Sequence, residues 1–332
     1  MRLNHPFLRL KKRYCAETIA AEVAAIPPSA WVPHPGKIPG NDALLLITPH
    51  GQITNGFVGP MMPTEHLRKC RYIMEIMADL GGVWGRSRLM GLAPGARVPD
   101  HVDVNYYWRT HLRIHIPVIT TPRVRFSVGA DSVHMAPGEC WTFDSFRMHN
   151  VHNGGTEKRI HLVLDTVGSE KIWDLVEEAQ LEGTRPEPPA EPLRPGQRQI
   201  EGLAFEQVNA PTIMSPWEVR SHLEFVLEQL PPSTNAAAAA RRLDRFANGW
   251  TAAWAQFGPS DRGVPAYQAL IARVQEELRR LGGDTMLLPN EVPLSRALNE
   301  LIFQIAVPAR RPQQPVVSGF GLTGIPARRL AS

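Results

Sequence analysis

Residues 99–118, which read PDHVDVNYYWRTHLRIHIPV, decide the predicted fold. Their apolar residues recur with the spacing of a pair of β-strands. The same stretch also contains three histidines, two arginines and two aspartates. Such groups are costly to bury unless they are paired or bind a metal. We therefore expect strands whose charged side chains surround a charged ligand.

The strand-like pattern extends over residues 83–167 and is interrupted by turns. Sequences rich in glycine, proline, asparagine or aspartate mark turns at 93–95, 129–131, 136–138 and 153–155. Short strands separated by such turns predict a small antiparallel sandwich or barrel of the jelly-roll type. We place this mainly β core at residues 83–168.

Helical patterns flank the predicted core on both sides. Residues 64–80 have apolar positions at helical spacing and end at Gly81-Gly82, which predicts an amphipathic helix. Residues 215–218, Ser-Pro-Trp-Glu, have the features of a helix start with a capping box. Further helices are predicted at 234–257, 264–281 and 293–305, with Phe246, Trp250 and Trp254 as a core stripe.

A proline-rich segment divides the chain into two compositionally different parts. Residues 184–200, TRPEPPAEPLRPGQRQI, are typical of a linker. We predict a first domain at 1–183 with the β core and flanking helices, a linker at 184–212, an α-helical domain at 213–306 and a flexible tail at 307–332. We expect the helical domain to serve as a lid or as the surface of a homodimer.

The overall composition argues against several classes of protein. Of the 332 residues, 43% are hydrophobic and 20% are charged, which is typical of a globular protein. The net charge of +4 comes from scattered basic runs without interleaved aromatic residues, so we expect no nucleic-acid partner. No apolar run approaches the ~20 residues that span a bilayer. Three widely spaced cysteines form neither a disulfide framework nor a zinc ribbon, so we expect a cytoplasmic protein.

Seven of the twelve histidines lie between residues 101 and 161, inside the predicted β core. His101 and Asp103 are two residues apart in an extended segment and therefore face the same side. Together they can supply two ligands of a facial triad of two histidines and a carboxylate, which leaves positions on Fe(II) for a co-substrate and O₂. By itself, this spacing is more often a hydrogen-bonded surface pair.

Residues 143–165, FDSFRMHNVHNGGTEKRIHLVLD, supply a candidate for the third ligand. His149 ends one predicted strand, the turn reverses the chain, and Arg159 opens the returning strand. A buried arginine beside a metal binds a carboxylate through two parallel hydrogen bonds, and 2-oxoglutarate would supply that carboxylate. Strand alternation also places Arg113 and His115 on one face, where they could hold the other end of this co-substrate.

The order HVD, RTHLRIHIPV, RFSVG, PGECWTFDSFRMHNVHN and RIHLVLD resembles the aspartyl/asparaginyl β-hydroxylase family of Fe(II)/2-oxoglutarate-dependent dioxygenases. It is also similar to the bacterial proline hydroxylases grouped with that family. The resemblance implies a double-stranded β-helix, or cupin-like jelly roll, as the catalytic core within residues 1–183. It implies Fe(II) as the cofactor, with 2-oxoglutarate and O₂ as co-substrates.

The resemblance also implies roles for individual residues. His101, Asp103 and His149 would be the iron ligands and catalytic residues, Arg159 would bind the distal carboxylate of 2-oxoglutarate, and Arg113, His115 and Met90 would line the co-substrate site. Met90 and Leu92 fall where family members place residues that line the co-substrate site, and neither is the serine that the animal enzyme uses there. Asp103 stands where the animal peptide hydroxylases have glycine and the bacterial amino-acid hydroxylases have aspartate, which favours a complete triad.

The expected reaction is hydroxylation of an unactivated C–H bond in an amino acid, which is free, derivatised or part of a peptide. Candidate substrate contacts are Asn105, Tyr107, Trp108 and His111, with core or lid packing as the alternative for the aromatic residues and a structural role for His111. We interpret His152 as a turn residue and His161 as a supporting residue beside Arg159. The alternatives for the whole protein are a non-catalytic jelly-roll binding module and a non-oxidative cupin-type metal enzyme. Neither requires a buried carboxylate clamp such as Arg159.

Overall fold

The computed structural model describes residues 2–181 and 191–307. These residues form two compact units. The first contains the chain up to Asp103 together with Thr110–Asn209, and the second contains Val104–Arg109 together with the described residues from Ala210 onward. The first unit is rich in β-strands and the second consists mostly of helices.

In chain order, the strands are β1 Phe7–Arg13, β2 Val32–Pro33, β3 Asn41–Pro49, β4 Met61–Pro63, β5 Val83–Leu92, β6 Arg97–His101, β7 Leu112–Ile119, β8 Val124–Val128, β9 Asp131–Val133, β10 Glu139–Phe143, β11 His149–Asn153, β12 Arg159–Gly168 and β13 Ala204–Phe205. The helices are α1 Ala16–Ala24, α2 Glu65–Arg68, α3 Arg71–Leu80, α4 Tyr106–Thr110, α5 Glu170–Leu181, α6 Pro216–Leu227, α7 Thr234–Phe257, α8 Val264–Arg280 and α9 Leu294–Leu298.

Two sheets build the first unit. The larger has the strand order β1-β10-β7-β12-β5-β3-β2, with β4 on β3 and β13 parallel to β5. The smaller has the order β6-β11-β8-β9, and its pairs are antiparallel. The apolar core joins both sheets, because Phe126 of β8 packs against Phe143 of β10 with 4.8 Å between the ring centroids. The predicted jelly-roll core, of the cupin-like double-stranded β-helix type, is confirmed.

The pairing of β12 fixes which side chains enter the space between the sheets. His161 lies opposite Met90 of β5, and Val163 lies opposite His115 of β7. Cross-strand partners share a face of the sheet, so alternate residues of β12 from Arg159 to Asp165 point the same way. His115 touches Phe126 of the smaller sheet, with 5.5 Å between the ring centroids, which shows that this face is the interior.

The helix predicted at 64–80 is two helices, α2 and α3, and the single-helix prediction is wrong at its centre. Thr64 caps α2, because its hydroxyl accepts hydrogen bonds from the N–H groups of His66 and Leu67. The N–H groups of Lys69 and Cys70 bond to carbonyls only three residues back, which closes α2 early. Gly81, with φ of 71°, ends α3 as predicted.

The helical unit agrees closely with the sequence pattern. Ser215 caps α6 by accepting a hydrogen bond from the N–H of Glu218, and α7 has the predicted bounds of 234–257. The Glu218 carboxylate accepts a hydrogen bond from the Tyr106 hydroxyl at 2.5 Å, whereas the predicted capping box would direct it back to Ser215. Trp250 is fully buried and its indole N–H donates to the Met214 carbonyl at 2.9 Å. The last predicted helix is α9 followed by a π-helical turn at Asn299–Phe303.

The predicted linker at 184–212 is described only from residue 191 onward. Within that part, Leu193 forms a β-bridge with Tyr14, and β13 pairs with the first two residues of β5. This segment is therefore partly built into the sheet, because its backbone groups find partners there. The predicted tail at 307–332 lies outside the described residues, except for Val307. Among the helices of the described residues, none is both long and apolar enough to cross a bilayer.

The turn before β10 depends on a glycine. Gly138 has φ of +76°, its N–H donates to the Pro117 carbonyl, and its carbonyl accepts from the N–H of Tyr14. A Cβ atom at this position would lie 2.1 Å from the Tyr14 carbonyl oxygen. Gly129 has a similar φ of +58° but nothing within 4 Å of the corresponding Cβ position.

We therefore predict that Gly138→Ala destabilises the protein more than Gly129→Ala. Both substitutions cost about 1–2 kcal/mol for the left-handed backbone. Only Gly138→Ala also forces β1 and β10 apart, at a further cost of about 1–3 kcal/mol. Denaturant unfolding of the two variants measures the difference, and equal losses would contradict the close backbone approach.

Candidate metal centre

Three predicted ligands come together at the edge of the smaller sheet. His101 ends β6, Asp103 follows two residues later, and His149 begins β11, where it is the cross-strand partner of His101. One potential ligand atom from each residue lies within 4.8 Å of the others, and all three residues are buried. Among the described residues, no other cluster of histidine, cysteine and acidic side chains is this compact.

Backbone carbonyls orient both imidazole rings. The Nδ1 atom of His101 lies 2.8 Å from the Pro99 carbonyl oxygen, and that of His149 lies 2.9 Å from the Arg147 carbonyl oxygen. A carbonyl only accepts, so Nδ1 carries the proton and Nε2 keeps its lone pair. Burial lowers the pKa of His101 and lowers the pKa of His149 to about 3, so both rings are neutral near pH 7. Two neutral imidazoles and one carboxylate fit the ligand preference of Fe(II).

Arg113 holds the third ligand. Its Nη1 donates to Asp103 Oδ2 at 2.8 Å, and that oxygen lies 3.8 Å from His149 Nε2. Its Nε donates to Asp165 Oδ1 at 3.2 Å, because Arg113 and Asp165 are direct cross-strand partners on β7 and β12. Burial alone would raise the pKa of Asp103, but Arg113, His149 and His101 outweigh it and hold that pKa below its ordinary value. Asp103 is therefore an ionised carboxylate in a fixed orientation.

Arg159 lies on the same interior face, on β12. Burial lowers the pKa of its guanidinium to about 9, which leaves it charged near pH 7. Its Nη2 donates to His161 Nδ1 at 2.8 Å, and its Nε has no hydrogen-bond partner within the described part of the chain. Met90, another predicted co-substrate residue, is the cross-strand partner of His161 and therefore lies beside the contact between Arg159 and His161.

His115 sits between Arg159 and the metal ligands. Its ring packs against Phe143 at 5.4 Å and against His161 at 5.8 Å between centroids, and Phe143 in turn packs against His149 at 5.0 Å. Neither ring nitrogen of His115 finds a hydrogen-bond partner among the described residues. Burial lowers the pKa of His115 well below its ordinary value, so the ring is neutral. The interior thus contains several polar atoms that a ligand could satisfy.

The predicted substrate residues have structural partners. Asn105 Oδ1 accepts a hydrogen bond from the Trp108 N–H at 2.9 Å, and Trp108 packs edge-on against Tyr107, with both rings buried. All three belong to the helical unit, and their contact with substrate stays a prediction. His111 Nε2 lies 2.9 Å from a carboxylate oxygen of Glu206, and both side chains are buried. Of the other two histidines weighed from sequence, His152 is exposed on β11 and His161 is the partner of Arg159.

Sequence reasoning missed a second group of buried basic residues. Arg86 and Arg88 are buried on β5, and burial followed by the charges of Arg88, Arg86 and His101 lowers the pKa of His34 to about 2. The Arg86 guanidinium also lies 3.8 Å from the ring centroid of Phe57. The sequence contained a signal for this group. Arg86, Arg88 and Met90 are each two residues apart in one predicted strand, so their side chains are expected on the same face.

The comparisons with known proteins concern the β core. Residues 59–168 match the family model described as Aspartyl/Asparaginyl beta-hydroxylase. An oxidoreductase of the 2OG-Fe(II) oxygenase family from Burkholderia pseudomallei is 13% identical, with 47% of this chain and 80% of that chain covered and a TM-score of 0.36. A cupin domain from Bordetella pertussis is 17% identical, with 24% and 79% covered and a TM-score of 0.20.

No curated protein matches the sequence. The family match includes the whole predicted core at 83–168 and extends it towards the N-terminus through α2 and α3. It contains the three clustered ligands, Arg113 and Arg159. Over residues 59–168, about a third of its length, the chain is therefore similar to the aspartyl/asparaginyl β-hydroxylase family.

Proposed function

We propose that this protein is an Fe(II)/2-oxoglutarate-dependent dioxygenase that hydroxylates an unactivated C–H bond of an amino acid or of an amino-acid-containing substrate, whether free, derivatised or peptidyl. The observation that carries the use of 2-oxoglutarate is the buried charge of Arg159. Among the described residues, no carboxylate forms an ion pair with its guanidinium, and burial is the cause of its lowered pKa. A buried charge without a counter-ion is strongly unfavourable, so an anionic ligand fits this position.

The metal-binding role follows from the donor set. His101, Asp103 and His149 would hold Fe(II) through two Nε2 atoms and one carboxylate, since their other polar atoms are already bonded to the protein. When bound, Fe(II) would activate O₂, the oxidant for hydroxylation, with 2-oxoglutarate as the co-substrate that is oxidised to succinate and CO₂. The chain's own part is to fix the ligands, supply neutral imidazoles and shield the site from water.

Arg159 would bind the distal carboxylate of 2-oxoglutarate. His115 lies between Arg159 and the metal ligands, so its unpartnered nitrogens could contact the middle or the proximal end of the co-substrate. Arg113 was also predicted to contact the co-substrate, but its guanidinium forms ion pairs with Asp103 and Asp165. Its charge would act on the co-substrate from that fixed position. We propose Met90 as an apolar wall beside Arg159.

The amino-acid substrate is supported by the similarity of residues 59–168 to the aspartyl/asparaginyl beta-hydroxylase family model. We propose a small-molecule or peptide partner in a cytoplasmic setting, in keeping with three free cysteines.

The general test is anaerobic addition of Fe(II) and 2-oxoglutarate to the purified protein. A weak visible charge-transfer band and O₂-dependent release of succinate with an amino-acid panel would support the proposal. A protein that binds metal but gives neither signal would favour the non-oxidative cupin-type enzyme. A protein that binds no metal would favour the binding module.

His149→Ala is predicted to abolish tight metal binding and 2-oxoglutarate turnover while the fold survives. The loss should exceed the roughly 10–100-fold that removing a residue behind a ligand costs. Titration of the metal-free protein with Mn(II) measures it, and His152→Ala is the matched control, because His152 is exposed on the same strand. Normal affinity in His149→Ala would place the third ligand elsewhere.

Arg159→Ala is predicted to raise the KM for 2-oxoglutarate while metal affinity persists. Loss of a buried charge-assisted pair costs about 2–5 kcal/mol, which is at least roughly thirtyfold. The measurement is succinate production against 2-oxoglutarate concentration, with the exposed Arg123→Ala as the control. An unchanged KM would make Arg159 a structural residue.

Asp165→Asn is predicted to weaken Mn(II) binding although Asp165 is not a ligand. Without this carboxylate, the full charge of Arg113 acts on Asp103 and competes with the metal. We expect a loss of roughly 10–100-fold, as for other residues behind metal ligands. Asp79→Asn, which removes a carboxylate paired with Lys12, is the control. Equal affinity in both variants would show that Arg113 does not transmit the effect.

A further inference from the structure

The contact between Arg159 and His161 determines which nitrogen of His161 carries the proton. Arg159 Nη2 lies 2.8 Å from His161 Nδ1. A guanidinium only donates hydrogen bonds, so Nδ1 is the acceptor. A neutral imidazole then has its N–H at Nε2. Burial, followed by the charge of Arg159, lowers the pKa of His161 well below its ordinary value, which keeps the ring neutral.

The Nε2–H group of His161 is buried without a partner. The residue is 1% exposed, and within the described part of the chain no atom accepts a hydrogen bond from this nitrogen. Arg159 Nε, on the other side of the same contact, is in the same situation. Buried donors without acceptors are rare because each carries a desolvation cost. Two of them on one bonded pair indicate that a ligand supplies the acceptor.

The cross-strand neighbours of His161 offer no strong acceptor for its Nε2–H group. Its cross-strand partners are Met90 on β5 and Pro117 on β7. A thioether is only a weak acceptor, and the ring of proline has no polar atom. His115, whose ring centroid lies 5.8 Å from that of His161, has two unpartnered nitrogens of its own. The recess around the pair therefore combines apolar strand neighbours with buried polar atoms that lack partners.

We propose that His161 is a second binding residue for the distal carboxylate of the co-substrate. It accepts a hydrogen bond from Arg159 through Nδ1 and donates Nε2–H to the carboxylate that Arg159 neutralises. This inference rests on the proposed function, since that function supplies the anion. His161 makes the site selective for a carboxylate, because the donor is left unsatisfied by an apolar chain end of the same size.

The test compares 2-oxoglutarate with 2-oxopentanoate, which has the same chain length and no distal carboxylate. Mn(II)-loaded protein binds either compound without turnover, and calorimetry gives the ratio of the two dissociation constants. The wild-type protein is expected to prefer 2-oxoglutarate. His161→Phe is expected to reduce that preference about tenfold or more, as for a lost hydrogen bond to a charged group. His152→Phe, the same substitution at an exposed position of β11, should leave the ratio unchanged.

Two smaller changes separate binding from mere support of Arg159. His161→Asn keeps an acceptor near the Nδ1 position but removes the donor, whereas His161→Gln keeps a donor near the Nε2 position. The proposal requires His161→Gln to retain most of the preference for 2-oxoglutarate and His161→Asn to lose it. This comparison tests the proposal even if His161→Phe does not fold. If His161→Asn kept the preference for 2-oxoglutarate and His161→Gln lost it, His161 would only support Arg159, and the proposal would be overturned. No preference in the wild-type protein would instead contradict the proposed function itself.

Discussion

The contact of one guanidinium, Arg113, with two carboxylates holds the candidate site together. It joins β7 to β12 through Asp165 and joins both strands to the metal-ligand segment through Asp103. Breaking such a buried pair leaves an uncompensated charge, whereas the intact pair is weak in net stability. Its main consequence is therefore specificity of geometry, because Arg113 fixes the orientation of the Asp103 carboxylate.

The balance of positive and negative charges explains why the interior tolerates these buried arginines and aspartates. Asp103 and Asp165 together balance Arg113 and Arg159, so this part of the interior is neutral when both ligands are absent. On the proposed function, a divalent metal and the dianion of 2-oxoglutarate would also balance each other, so loading the site would keep that neutrality.

The β core could be predicted because its signals are local. Turn sequences and period-two alternation identified the strands, and the spacing of His101, Asp103 and His149 identified residues that the structure brings within 4.8 Å of one another. The contacts of Arg113 and Glu206 could not be predicted in this way. They depend on the register of β7 against β12 and on β13 joining β5, and such long-range pairing leaves no trace in local periodicity. The break between α2 and α3 was missed because apolar spacing alone does not reveal a turn closed by three-residue hydrogen bonds.

The unpartnered donors around Arg159 have a cost that the fold must sustain before any ligand arrives. The apolar residues that join the two sheets, among them Phe126 and Phe143, provide stabilisation of the kind that can offset it. Because the side chains are already held by the strands, binding need not order them, and more of the interaction energy appears as affinity and selectivity. A carboxylate that enters this recess relieves the desolvation cost of Arg159 and of His161 at the same moment. An uncharged chain end would relieve neither, so on the proposed function the same buried arrangement that weakens the ligand-free fold would make the site discriminate.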